Sequence, residues 1–197
     1  MHAPFAPRRI SRVIGALATL LVMPSVVHAQ TWAGVLSGAN EVAPVSTPAT
    51  GFVTISLTNN TLSVLLSWSG LIGGNPSAAH LHCCTAPGAN VGVAIGFPGF
   101  PATTSGTYSN PFDLTTNVYA AAFVTNFGGG TLAGAQTALI NGLNNGTAYV
   151  NIHNGTFGGG EIRANVTVTP EPGTVLLTAA GLLGLGVALR RRGRISH

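Results

Sequence analysis

Hydrophobic and polar residues alternate along several stretches in the middle of the chain. Alternation with a period of two is typical of strands that bury one face. The clearest pair is GFVTISLT and TLSVLLSW, residues 51–58 and 61–68, separated by the turn signal Asn59-Asn60. Their apolar sets are Val53, Ile55 and Leu57 in the first and Leu62, Val64, Leu66 and Trp68 in the second. Residues 51–68 therefore predict a β-hairpin.

Further strands are predicted at TWAGVLS (31–37), AAHLHC (78–83), AYVNIHN (148–154) and EIRANVTV (161–168). In TLAGAQTALINGLNNG (131–146), apolar residues recur at intervals of three and four, which predicts a helix. NVYAAAFVTNF (117–127) favours a shorter one, and the glycine-rich pieces GLIGGNP, GFPGFPATTSG and FGGG predict loops. The pattern favours a mainly β fold: an antiparallel, Greek-key-like β-sandwich with one or two short helices.

The N-terminal residues have the order of a secretory signal. Arg8, Arg9 and Arg12 precede the apolar run VIGALATLLVMPSVV, and Val27-His28-Ala29 gives the small-residue cleavage site. A positive region, a short apolar core and a small-residue cleavage site are typical of a signal peptide. Residues 1–29 are therefore predicted to be removed before Gln30.

A second apolar run, residues 174–189, has no polar stripe and so predicts a transmembrane helix rather than a packed amphipathic one. Its length of about 24 Å is somewhat short for a bilayer core. The arginine cluster that follows at once holds that end in the cytoplasm; its members are Arg190, Arg191, Arg192 and Arg194. The domain between the two runs, residues 30–169, is expected outside the inner membrane.

The segment Pro170-Glu171-Pro172 precedes this run and is expected to be extended, because proline restricts its own backbone and that of the preceding residue. The order of motif, apolar helix and arginine cluster resembles the PEP-CTERM sorting signal of Gram-negative bacteria. The resemblance implies that residues 170–197 are a temporary inner-membrane anchor, processed by an exosortase-type enzyme. It also implies delivery to the cell surface or extracellular matrix, where extracellular polysaccharide or other surface proteins are the expected partners.

The formal net charge of +4 belongs to these two ends, which hold seven of the eight arginines. Residues 30–169 carry three carboxylates, Glu41, Asp113 and Glu161, against Arg163 alone, a net charge of −2. A basic protein ordinarily suggests nucleic-acid binding. Because the basic residues lie in the targeting segments, nucleic acid is excluded as a partner.

Strand alternation places the histidines of residues 30–169 on polar faces. His80 and His82 project together from one strand, and His153 lies on the polar face of another. Two histidines separated by one residue on a strand, as His80 and His82 are, lie about 7 Å apart. This spacing suits zinc or copper when a third donor joins. His153 is the candidate third ligand, with Glu161 or Cys84 as a candidate fourth.

A purely structural interpretation stays open beside the metal site. The same face, with His80, His82, His153, Glu161 and Arg163, can form a hydrogen-bonded network. In that network Glu161 and Arg163, both predicted to point outward, make a partly buried ion pair. No Ser/His/Asp order, phosphate loop or spaced carboxylate pair indicates catalysis, so the sequence favours a non-enzymatic protein.

The only two cysteines, Cys83 and Cys84, are adjacent. An exported compartment favours oxidation, and the pair could then form only a vicinal disulfide. Free thiols, intermolecular pairing and metal ligation stay open as alternatives.

Residues of the same strands resemble the CHRD domain, named after chordin. The matching pieces are LSGANEVAPVSTPATG (36–51), AAHLHCC (78–84) and AYVNIHNGTFGGGEIRA (148–164). Departures at Asn154, Gly158 and Ala164-Asn165 concern loop shape more than the histidines. The family is β-rich and extracellular, with no established activity or ligand. Its motif residues, which have no assigned roles, correspond to Glu41, His80, His82, His153, Glu161 and Arg163.

The function expected from these patterns is that of an exported, non-enzymatic CHRD-type domain. It would be sorted through its tail to the cell envelope or matrix and act there as a binding or structural module. The alternative is a redox or hydrolytic protein that binds zinc or copper through His80, His82 and His153.

Overall fold

The computed structural model describes residues 29–170 and 181–185. The predicted signal peptide, Glu171 and Pro172 of the sorting motif, and the arginine cluster lie outside these ranges. Residues 181–185, within the predicted transmembrane run, are helical and exposed. Among the described residues, no helix is both long enough and apolar enough to cross a membrane.

Nine strands and two main helices make up residues 30–168 of the described part. The strands are β1 (Gln30–Ser37), β2 (Thr50–Thr58), β3 (Thr61–Ser69), β4 (Pro76–Cys83), β5 (Val93–Gly96), β6 (Gly106–Asp113), β7 (Ala148–Asn154), β8 (Ile162–Asn165) and β9 (Thr167–Val168). The helices are α1 (Ala121–Phe127) and α2 (Leu132–Asn144), and a short 3-10 turn covers Gly38–Asn40. Every strand predicted within residues 30–169 and both helices predicted there are confirmed.

The described strands form one antiparallel sheet rather than two facing sheets, so the predicted sandwich is not confirmed. The strand order is β5-β4-β7-β8-β1-β2-β3-β6, and β9 pairs with β1. Phe97, just after β5, contacts Tyr108 and Phe112 of β6, with ring centroids 5.3 and 6.0 Å apart. Because β5 and β6 are the two ends of the strand order, these contacts show that the sheet curls until its edges approach.

The β2–β3 hairpin forms as the alternation predicts. Asn59 turns the chain with φ of 54°, a left-handed conformation that asparagine tolerates better than most residues. Val53 pairs with Leu66, and Ile55 pairs with Val64. All four side chains are buried in the core inside the curled sheet.

The sheet order brings β4, β7 and β8 side by side, and their register sets the polar face. His80 is paired with Asn151, and His82 is paired with Tyr149. Arg163 of β8 is the partner of Asn151 on the other side of β7. The three strands that carry the candidate residues are therefore direct neighbours.

The predicted orientation of residues 161–168 is partly wrong. Alternation assigns Ile162, Ala164, Val166 and Val168 to the buried face. The first three are buried, but Val168, on the short strand β9 that pairs with β1, is 46% exposed. Glu161 and Arg163 do not point outward into solvent, since both side chains are 0% exposed. Loops from distant parts of the sequence cover the polar face and enclose them.

Candidate metal centre

Three histidines from two neighbouring strands converge on one point. His80 and His82 come from β4 and His153 from β7, and one ring nitrogen of each lies within 4.8 Å of the others. The centroid of the His80 ring is 4.9 Å from that of His153 and 5.5 Å from that of His82. The alternation of strands thus places the predicted ligands together, as the sequence indicated.

Backbone carbonyls set the tautomers of two of these rings. The Nδ1 atom of His82 lies 2.8 Å from the Val91 carbonyl oxygen, and Nδ1 of His153 lies 3.0 Å from that of Gly158. A carbonyl oxygen only accepts hydrogen bonds, so each Nδ1 carries the proton and donates. The lone pair of each neutral ring is therefore on Nε2, the geometry common in metal-binding histidines.

Three of the other four ring nitrogens are buried and have no hydrogen-bond partner in the described part of the chain. These atoms are Nδ1 of His80 and Nε2 of both His82 and His153. The side chain of His82 is only 7% exposed. Leaving a buried polar atom without a partner costs about 1–3 kcal/mol, so three such atoms, one on each histidine of the cluster, favour a bound ligand there.

The surroundings favour neutral imidazoles. Burial, with smaller contributions from His153 and His82, lowers the pKa of His80 to about 4. Burial also lowers the pKa of His82 and of His153, although the hydrogen bonds to Val91 and Gly158 oppose it. Neutral rings keep the lone pairs that a metal ion needs.

Tyr149 supports His82 from the neighbouring strand. The two rings stack in parallel, and the Tyr149 hydroxyl donates to the same Val91 carbonyl that His82 uses. The guanidinium carbon of Arg163 lies 3.4 Å from the centroid of the Tyr149 ring, a close cation–π contact. Tyr149 therefore links the histidines to the buried arginine.

Arg163 is held by a loop rather than by a carboxylate. Its guanidinium donates to the Asn90 side chain, the Ala89 carbonyl and the Asn165 side chain. The predicted ion pair with Glu161 is wrong, because these acceptors take the guanidinium donors.

Glu41 is the buried carboxyl that faces the arginine. It is 4% exposed, and its Oε1 atom has no hydrogen-bond partner among the described residues. Burial raises the pKa of Glu41 to about 7, opposed by the charge of Arg163 and by hydrogen bonding to Asn151. A Cβ atom at position 160 would overlap this carboxyl and the Asn151 amide, so glycine is needed there. Glu41 therefore packs beside the histidine face without belonging to the ligand set.

Glu161 lies apart from the histidines and is not a fourth ligand. Its carboxylate accepts hydrogen bonds from the Thr47 hydroxyl, the backbone amides of Ile72 and Gly73, and the Asn154 side chain. Burial acts to raise the pKa of Glu161, but these four bonds together lower it. Glu161 thus ties two loops to the β7–β8 turn.

Cys84 is likewise excluded from the ligand set. Cys83 and Cys84 form a disulfide with each other, which removes the thiolate that metal ligation requires. The disulfide packs against α2, where a Cβ atom at Gly142 would overlap the sulfur of Cys83. Of the alternatives left open by the sequence, the vicinal disulfide is the one observed.

Sequence reasoning found the three histidines but missed the groups that orient them. Alternation along β7 places Tyr149 and Asn151 on the same face as His153, so the sequence indicated that they lie near the histidines. No pattern in the sequence indicated the carbonyls of Val91 and Gly158, because any residue can supply a backbone carbonyl.

Comparison with known proteins agrees with the resemblance that these residues suggest. The CHRD domain family matches residues 32–166, which include most of β1, all of β2 to β8 and all three histidines. No curated protein and no solved structure matches the chain. Since the match covers more than half of the chain, the protein belongs to the CHRD domain family.

Proposed function

We propose that this protein is an exported CHRD-domain module that binds one transition-metal ion and has no catalytic role. The observation that carries the proposal is the set of three histidines with ring nitrogens within 4.8 Å of one another, each of which also has a buried ring nitrogen without a partner among the described residues. Two of the three rings are oriented by carbonyls on their other nitrogen. This combination is typical of first and outer ligand shells around a metal.

The donors are three neutral imidazoles, which suit zinc and copper alike. Glu161 and Cys84 are engaged elsewhere, so the ion would keep one position for water or another ligand. The site lies on a sheet face whose backbone is fixed by pairing on both sides of β4 and β7. Metal–nitrogen bonds of about 2.0–2.1 Å would draw the ring nitrogens closer together, which side-chain rotation on this backbone would supply.

Metal content tests this proposal. The full-length chain, purified and then reconstituted with excess zinc or copper, should retain about one ion per chain on elemental analysis. His82→Ala and His153→Ala should each lose most of it, while His197→Ala, at a histidine of the tail, should not. A chain that retains no metal after reconstitution contradicts the proposal.

We further propose that residues 1–29 direct export and that the tail, residues 170–197, holds the protein in the inner membrane until an exosortase-type enzyme processes it. The support is the order of charged, apolar and proline-containing segments in the sequence. Alkaline phosphatase fused after Thr169 should be active, and a Pro170→Ala/Glu171→Ala/Pro172→Ala variant should accumulate with its tail intact. A fusion that is made but has no phosphatase activity, because it stays in the cytosol, contradicts export.

A redox or hydrolytic role is the second candidate, and the observation that favours it is that the cluster offers only three ligands, which would leave a coordination position for a substrate. An assay for catalytic turnover distinguishes the two candidates. The metal-loaded chain should remove superoxide or hydrolyse activated esters if it is an enzyme, and this activity should disappear in His82→Ala. Metal retention without turnover supports the binding module.

A further inference from the structure

Asn151 lies in the middle of the histidine cluster. It is the direct strand partner of His80, and His153 lies two residues further along β7. His82 is the partner of Tyr149, which places it diagonally across from Asn151. Directly paired residues on neighbouring strands have Cβ atoms about 4.5–5.5 Å apart, and diagonal neighbours are still within reach of long side chains. Asn151 is therefore adjacent to all three histidines, on the same face of the sheet.

The Asn151 side chain is buried, and only one end of its amide has a partner. The residue is 2% exposed. Its Nδ2 donates to the Gly159 carbonyl at 3.2 Å and lies beside the Glu41 carboxyl, since a Cβ atom at Gly160 would overlap both groups. Its Oδ1 is buried and accepts no hydrogen bond from the described residues. Because the bond to a carbonyl identifies Nδ2 as the donor, the free end of the amide is an acceptor.

This free oxygen lies close to histidine nitrogens that are also acceptors. Nε2 of His82 and Nε2 of His153 carry lone pairs, because their Nδ1 atoms donate to carbonyls. Burial lowers the pKa of His82, and the Asn151 side chain is among the groups near enough to oppose this shift. None of the three acceptors has a donor in the part of the chain that the structure describes. Buried lone pairs that face one another are unfavourable, so a cation among them would satisfy all three at once.

We propose that Asn151 is the fourth protein ligand of the metal, bound through Oδ1, with His80, His82 and His153 as the other three. This assignment rests on the proposed metal site and completes its donor set. Zinc takes nitrogen and oxygen ligands together, and a protein group in the fourth position closes the site, as in structural zinc centres. The hydrogen bond from Nδ2 to Gly159 holds the ligating amide in place. A closed site offers no position to a substrate, which favours the binding module over an enzyme.

The test uses cobalt(II), which replaces zinc and absorbs visible light, and azide, which binds where an exchangeable water leaves a position open. The full-length chain loaded with one equivalent of cobalt(II) should give a spectrum that azide does not change. In Asn151→Ala, water fills the fourth position, so azide should shift the spectrum saturably. Its cobalt affinity should fall roughly tenfold or more.

Asn154→Ala is the matched control, because Asn154 is a buried asparagine of the same strand. Its amide is fully engaged elsewhere: Nδ2 donates to Glu161, and Oδ1 accepts from the Phe157 backbone. This variant should hold cobalt and stay closed to azide. If Asn151→Ala does not fold, Asn151→Val, whose side chain suits a strand, makes the same test.

The wild-type chain alone can overturn the assignment. If it holds cobalt and binds azide, the fourth position is open, Asn151 is not a ligand and the three-histidine site stands. An Asn151 variant that keeps wild-type cobalt affinity and stays closed to azide overturns it equally. Complete loss of cobalt from the Asn151 variant, but not from Asn154→Ala, supports it. A wild-type chain that holds no cobalt overturns both this assignment and the metal site.

Discussion

The imidazole of His82 lies parallel to the ring of Tyr149, with centroids 4.5 Å apart and planes inclined by only 2°. Both side chains also bond to the carbonyl of Val91. Stacking fixes the tilt of the imidazole and the hydrogen bond fixes its rotation. Together they hold the imidazole of His82 in one orientation beside the rings of His80 and His153.

Replacing Tyr149 with leucine therefore tests the orientation of His82. The variant keeps a buried apolar side chain but loses the stacking and the hydroxyl. We expect metal affinity to fall roughly tenfold, the lower end of the effect of outer-shell partners. Tyr149→Phe, which keeps the ring, should fall less. Competition with a chromophoric chelator measures both, and equal affinity in Tyr149→Leu and wild type would refute the orienting role.

Glu41 should make stability fall as pH rises. Its folded pKa of about 7 exceeds the ordinary value of 4.5, so the folded state holds this proton more tightly than the unfolded state does. Stability from this group is present below about pH 4.5 and is lost as pH rises through 7. Glu41→Gln should thus be more stable than wild type at pH 8, on the order of 1 kcal/mol after allowance for solvent screening, but not at pH 4.5.

Urea unfolding at several pH values measures this difference. The matched control is Asp113→Asn, because Asp113 is an exposed carboxylate whose pKa is lowered by hydrogen bonds from Thr115. It should show no gain at pH 8. If Glu41→Gln is instead destabilised at pH 8, the carboxylate is ionised and acts as a stabilising partner of Arg163.

Glu161 should matter for stability and not for metal. Glu161→Gln places an amide group against backbone donors from Ile72 and Gly73 and removes charge-assisted bonds. We expect a loss of about 3 kcal/mol or more in the free energy of unfolding. One ion per folded chain should still bind. A variant that folds normally but loses its metal would restore Glu161 as a ligand.

Gly142 should be intolerant of a side chain although it lies in a helix. Alanine normally stabilises a helix interior relative to glycine by about 1 kcal/mol. Here a methyl group would overlap Cys83 and push α2 away from the disulfide, so we expect Gly142→Ala to destabilise the protein by about 1–3 kcal/mol. Gly155→Ala, where a Cβ atom has open space, should change stability by less than about 0.5 kcal/mol. Thermal unfolding compares them.

Local alternation predicted the strands that bury one face and the histidines on the other, because side-chain direction follows from the strand itself. It did not predict β5, which is too short to alternate, or β6, which contains Pro111. Pro111 is tolerated because β6 is an edge strand, where one side of the backbone needs no ladder partner. The curl of the sheet brings Phe97, just after β5, against β6, and was therefore not predicted.

Burial of the charged residues could not be read from local pattern. Glu161 and Arg163 occupy the positions that alternation assigns to the polar face, and that assignment is correct for the strand. The groups that cover them come from far along the chain, including Thr47 for Glu161 and Asn90 for Arg163. Only the fold shows which polar groups lie across from each other.

The most direct test of the central claim is electron paramagnetic resonance of the full-length chain loaded with one equivalent of copper(II). We predict a single bound species whose nitrogen splitting requires three imidazoles, and the loss of one nitrogen or of the species itself in His80→Ala, His82→Ala and His153→Ala. A spectrum of unbound copper, or the same spectrum in all three variants, would contradict the claim that these histidines form a metal site.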